Sequence, residues 1–231
     1  MRLLLVLIAA VVLFSPVVAL AQEQNYQLEK TGRNEVFALP YTASNRDRDN
    51  PLVYTFDTPK TANWILSITN NQKYVQSNDS KTIIRIQEPA PSEKYIEITM
   101  FGSESRVFWV VVNTPDAKNA RIYTSPAGQP GWSDENPISI GHDSAQGLTV
   151  TDGKRVVVDR LDLAGFAVGS IAVYGNDAGK TTPNTIAGDI SFEIVYGSFS
   201  QSQIFLVPAA VMAGVGALVI GLLIFKKRKP E

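Results

Sequence analysis

The sequence predicts an all-β fold, one or two β-sandwich domains of immunoglobulin-like or jelly-roll type, followed by one C-terminal transmembrane helix. Three observations carry this. Between Asn34 and Tyr196 the chain is a series of short runs rich in Val, Ile, Tyr, Phe and Thr, each bounded by Gly, Pro, Asn, Asp or Ser, which is the pattern of strands and turns. No stretch of 22–203 repeats apolar residues at helical spacing, so no long helix is expected there. Residues 204–225 hold no charge and no strong polar group, and at about 1.5 Å of rise per residue a helix of that length covers the roughly 30 Å core of a bilayer.

Taken in order, Arg2 precedes an apolar run over 3–14, Ser15-Pro16 breaks it, and Ala19-Leu20-Ala21 offers small residues to a signal peptidase. Residues 1–21 therefore read as a cleaved secretory signal. Strands are expected near 34–41, 52–57, 63–70, 82–88, 94–101, 105–113, 119–124, 154–161, 166–175 and 188–197, with shorter ones near 137–140 and 147–151. Alternation names their buried faces: Ile190, Phe192, Ile194 and Tyr196 share one side, Trp64, Leu66 and Ile68 another, and Ile96, Ile98 and Met100 a third, because successive side chains of a strand point to opposite faces. Val107 to Val112 is apolar on both faces, as in a central or covered strand. Asn113-Thr114-Pro115-Asp116 is the best internal boundary, dividing 22–115 from 116–197 as two domains or as two halves of one sandwich. A polar linker, 198–203, joins the last strand to the membrane helix and holds the sandwich close to the membrane. The basic tail, 226–231, stays on the cytoplasmic side, so the expected protein is a single-pass type I cell-surface protein with its N-terminal domain outside.

The formal net charge of −1 conceals an asymmetry. Of 21 basic and 22 acidic residues, setting aside Arg2, Lys226, Lys227, Arg228, Lys229 and Glu231 leaves 16 and 21, so the exported part is mildly acidic. That argues against nucleic acid or anionic lipid headgroups as partners. The chain has no cysteine, which removes disulfides, thiolate metal sites and cysteine nucleophiles together and fits a prokaryotic surface. No cofactor is expected.

Several loops carry chemistry-bearing residues. Gly175 to Thr182 reads GNDAGKTT, but it lacks the spacing of a phosphate-cradling loop and Pro183 stands where a helix must begin. His142 is the single histidine, expected on an exposed loop, with no second imidazole or thiolate for zinc or copper. Asp47 and Asp49, two apart beside Asn45 and Asn50, have the spacing of a calcium loop, although Arg46 and Arg48 interleave with them. Trp132 lies in a Gly/Pro-rich loop with Asp134 and Glu135, a composition suited to a ligand or partner surface. Asn78-Asp79-Ser80 is a sequon in a polar turn. In the membrane helix Ala209, Ala213, Ala217 and Gly221 form a stripe of small residues on which a second helix could pack, giving a homo- or hetero-oligomer.

The function expected from these features is a non-enzymatic surface protein, anchored in the lipid bilayer, whose membrane-proximal sandwich binds a partner protein or surface polymer, with an accessory subunit of a membrane complex as its subtype. The alternative from another class is an extracytoplasmic hydrolase acting on glycan or peptide through paired carboxylates such as Asp134 and Glu135.

Overall fold

The computed structural model describes residues 33–75, 78–126, 128–163 and 165–197. The expected signal segment, linker, membrane helix and tail lie outside the described residues, and so does the stripe Ala209, Ala213, Ala217 and Gly221. Among the described residues no helix is long and apolar enough to cross a membrane.

The strands, in chain order, are β1 (Arg33–Pro40), β2 (Leu52–Lys60), β3 (Asn63–Asn70), β4 (Lys73–Tyr74), β5 (Lys81–Gln87), β6 (Tyr95–Phe101), β7 (Phe108–Asn113), β8 (Ala120–Thr124), β9 (Ile138–Asp143), β10 (Gly147–Thr151), β11 (Val156–Leu161), β12 (Val168–Tyr174), β13 (Thr185–Ala187) and β14 (Asp189–Gly197). A short 3-10 turn, Tyr41–Asn45, links β1 to β2. Two six-stranded sheets face each other, the first in the order β1-β14-β3-β9-β10-β11 and the second in the order β2-β12-β5-β6-β7-β8, with β13 and β4 as a small ribbon at one end. Pairing within both large sheets is antiparallel throughout.

This is a jelly-roll-like all-β sandwich. Each sheet mixes strands from before and after Asn113, and residues 33–197 form a single compact unit. The two-domain reading therefore gives way to a single sandwich, and Asn113 to Asp116 only opens the β7–β8 connection, closed by the Thr114 amide bonding to the Ala117 carbonyl. The immunoglobulin-like option gives way too, since those sandwiches hold about seven to nine strands.

The alternation read from the sequence is what builds the core. Trp64, Leu66 and Ile68 of β3 and Ile190, Phe192 and Ile194 of β14 are buried against Ile84 and Ile86 of β5 and Ile96, Ile98 and Met100 of β6. At one end of the sandwich the connections are tied by amides. The Asn45 Oδ1 accepts from the backbone N–H groups of Asn184 and Thr185 at 2.7 and 2.9 Å, and the Asn184 Nδ2 donates to Ser44 O and Asn176 Oδ1. Gly175 sits beneath this clasp, where a Cβ would lie 2.1 Å from the Ser44 carbonyl oxygen, so glycine alone fits.

Beside the clasp lies a buried polar chain. Thr82 donates to Gln72 Oε1 at 2.6 Å, Tyr74 O–H donates to Thr82 at 2.8 Å, and Asn70 Nδ2 donates to Tyr74 at 2.7 Å. Desolvation pushes the Tyr74 phenol up to about 12, its hydrogen bonds to Thr82 and Asn70 opposing that only in part. An unfolded tyrosine ionises near 10, so the stabilisation is whole below about pH 10 and is lost as pH rises toward 12. Urea melts between pH 9 and 12 are expected to show falling stability, and Tyr74→Phe to flatten that fall; an unchanged slope in the variant would contradict it.

Candidate functional site

The residues that gather chemistry lie on the outer face of the second sheet. In β5 the pattern Ile84-Arg85-Ile86 sends the isoleucines inward and Arg85 outward, and in β6 Ile96-Glu97-Ile98 does the same for Glu97. The register then places Ala172, Arg85, Glu97, Val111 and Arg121 in one row across β12, β5, β6, β7 and β8. Small Ala172 leaves room for the long side chain beside it.

In this row Arg85 donates to Glu97 Oε2 from Nη2 at 2.9 Å and from Nε at 3.2 Å, and to the Tyr174 hydroxyl oxygen at 2.8 Å. Tyr174 O–H in turn donates to the same Glu97 oxygen at 2.7 Å. The guanidinium lies 4.4 Å from the centre of the Tyr95 ring, and the Tyr95 hydroxyl bonds Asn119 Oδ1. The Arg85 and Glu97 side chains are only 17 and 15% exposed, so the pair acts in a low local dielectric. Desolvation first, and the neighbouring Glu97 second, push the Tyr174 phenol well above its ordinary value, so it is a neutral O–H donor. Burial pulls Arg85 down, but Tyr174 and Glu97 outweigh it and hold the guanidinium above its usual range.

One row along, Thr99, Trp109 and Thr124 lie side by side on the same face. The Arg121 guanidinium lies over the Trp109 ring, 3.6 Å from its centre, and Phe101 meets that ring edge-on at 4.6 Å. The Trp109 indole N–H is buried and has no hydrogen-bond partner. The face thus holds a carboxylate, two phenols and two guanidinium groups beside the Trp109 and Phe101 rings.

Removing one partner of such a pair strands the other. Arg85→Met is expected to cost about 2–4 kcal/mol, below the range for a fully buried pair because Glu97 keeps some water, and adding Glu97→Met should restore most of it. Urea melts of both single variants and the double variant measure the coupling; additive losses would contradict the arrangement.

The residues singled out in the sequence lie elsewhere. Trp132 is 3% exposed and belongs to the core; its indole N–H donates to the Phe101 carbonyl at 2.9 Å and Arg106 lies 4.5 Å over its ring. It closes one end of the sandwich, and the expected ligand surface there is corrected. Asp134 and Glu135 are exposed, Asp134 reaching Arg106 at 3.5 Å, so both stand at the surface. Asp47 Oδ1 accepts from the Asp49 and Asn50 amides at 3.0 and 2.9 Å, capping its own turn, and Asp49 is exposed. Among the described residues no three His, Cys, Asp or Glu side chains are grouped to hold a metal ion. Asn78 is exposed in a turn.

His142 is not a loop residue. It sits in β9, 2% exposed, stacked on Trp64 with ring centres 5.8 Å apart. Its Nδ1 lies 2.7 Å from Ala62 O and its Nε2 3.3 Å from Leu163 O, so it ties two connections to the core. The expected exposure failed because the hairpin turn begins one residue later, where Asp143 Oδ1 accepts from the amides of Ala145 and Gln146.

No family model matches the chain and no curated protein matches it in sequence. Among solved structures it is similar to a prokaryotic β-1,3-1,4-glucanase (lichenase) derived from a mouse hindgut metagenome, at 11% identity and a TM-score of 0.44 over 71% of this chain and 80% of that one. A native glycosidic hydrolase matches at 7% identity and a TM-score of 0.42 over 64% of this chain and 70% of that one. A Bacillus licheniformis β-glucanase matches at 8% identity and a TM-score of 0.39 over 62% of this chain and 69% of that one. At TM-scores below 0.5 the likeness assigns no chemistry to any residue here. These three neighbours are glycan hydrolases, so the expectation of a non-enzymatic binding module is corrected to the extent that it finds no support among them; the likeness concerns the fold, and the hydrolase alternative is taken up as a proposal below.

Proposed function

We propose that this chain is an extracytoplasmic hydrolase of a polysaccharide that lies across the outer face of the second sheet. The observation that carries the reading is Glu97, a carboxylate in the middle of that sheet, hydrogen-bonded to a neutral phenol at 2.7 Å and set among Tyr95, Tyr174 and Trp109. Breaking a glycosidic bond requires a proton to reach the leaving oxygen and another to leave the attacking water. Glu97 is placed for such an exchange, with Tyr174 as its hydrogen-bonded partner and Arg85 fixing its orientation. Trp109 and Phe101 are the partly exposed rings of this face and suit a sugar, whose C–H face packs on a ring while its hydroxyls reach polar neighbours; Tyr95 and Tyr174 are buried and support Arg85 and Glu97. The carboxylates Asp134 and Glu135 have no part in this reading. In the same proposal residues 204–225 anchor the sandwich to the outer surface of a membrane, with the stripe Ala209, Ala213, Ala217 and Gly221 available to a second helix.

The test is release of new reducing ends by the full chain in detergent, from mixed-linkage β-glucan, xylan, chitosan and polygalacturonate. Release from at least one supports the reading. No release from any of them, by protein whose cooperative melting shows it folded, overturns it.

A further inference from the structure

The outer face carries an imbalance of hydrogen-bonding groups at its β8 end. Arg121 is exposed and, among the described residues, makes no ion pair and no hydrogen bond; its guanidinium rests on the Trp109 ring at 3.6 Å. On that same ring the Trp109 indole N–H is buried without an acceptor. Guanidinium and indole are both donors only, and among the described residues neither has an acceptor in place: Phe101 offers none, and the Thr99 and Thr124 hydroxyls beside Trp109 accept from neither. The nearest carboxylate along the row, Glu97, is two strands away, about 10 Å at ordinary strand spacing, and already receives Arg85 and Tyr174.

An anionic group with several acceptor oxygens satisfies such a site, and a carboxylate matches the planar fork of an arginine in two parallel bonds. We propose that Trp109 and Arg121 form a subsite for an acidic sugar, and that the polysaccharide is a polyuronate whose carboxylate pairs with Arg121 while its ring packs beside Trp109 and Phe101. This rests on the glycan reading above and narrows it to a substrate class. The chain's acidic surface disfavours such a polymer over most of the molecule, whereas Arg121 stands on the edge strand β8 in the same row as Glu97.

Titration calorimetry of the full chain in detergent, with polygalacturonate, its fully methyl-esterified form and neutral mixed-linkage β-glucan, tests this. The acidic polymer is expected to bind best and to weaken as salt is added. Arg121→Gln should weaken it about tenfold, as loss of a charge-assisted contact does, without changing the ester; Arg121→Lys should fall between. Melting curves of the variants check folding. Equal binding of acid and ester, with no effect of Arg121→Gln, overturns the acidic subsite and leaves the glycan reading standing. Absence of binding and of reducing-end release with all three polymers overturns both.

Discussion

Glu97→Gln is expected to lower reducing-end release from the polysaccharide cleaved best by about 10²–10⁴-fold, the usual contribution of a positioned acid–base group. The amide keeps the shape of the carboxylate and still accepts from Arg85 Nη2 and from Tyr174, whose present distances are 2.9 and 2.7 Å, but it cannot exchange a proton. Tyr174→Phe provides the companion measurement, since it deletes the hydroxyl and keeps the ring. Its expected loss is smaller, because Glu97 retains Arg85. If Glu97→Gln released reducing ends at the original rate, proton exchange would have to be assigned to another group. Melting curves for both variants guard against reading misfolding as lost catalysis.

Trp64→Ala has the largest expected effect on stability. The indole is fully buried between the sheets, stacked on His142 and in contact with Phe166 at 6.1 Å between ring centres. Truncation removes the transfer free energy of the ring and leaves a cavity that rigid strands cannot collapse, which together cost about 3–5 kcal/mol. For a sandwich of this size that corresponds to a melting-temperature drop of roughly 6–20 °C. It also strips His142 of its stacking partner while Ala62 O and Leu163 O still face the ring nitrogens. Urea unfolding followed by tryptophan fluorescence and circular dichroism measures it; a loss under about 1 kcal/mol would place Trp64 outside the core.

Strand positions were legible in the sequence because a half-buried strand writes its burial in alternate residues. Every expected strand run corresponds to a strand, and the inward faces of β3, β6 and β14 are the ones the alternation named. What alternation could not supply is register and distance. Arg85 and Glu97 lie on consecutive strands, but Tyr174 lies 89 residues beyond Arg85 and joins them only because β12 is placed beside β5. The single available signal was a charged residue between isoleucines in both β5 and β6, which marks an outward position without naming its partner. Trp132 shows the opposite failure. Its Gly/Pro-rich surroundings read as exposed, but Gly131 is packed so tightly beside Ser125 and Phe108 that the loop folds inward and buries the indole. A pair of adjacent acids such as Asp134 and Glu135 stands out in a sequence, whereas the partners of Glu97, Arg85 and Tyr174, are supplied by the pairing of strands.

The central claim is that a polysaccharide occupies the outer face of the second sheet. A crystal structure of the Glu97→Gln variant with an oligosaccharide of the best-cleaved polymer tests it most directly. Sugar rings are expected across β5, β6 and β7, with one glycosidic oxygen within hydrogen-bond distance of residue 97 and one ring beside Trp109. Sugar seated on the first sheet, or on the loop of Asp134 and Glu135 with the second sheet's outer face bare, would contradict it.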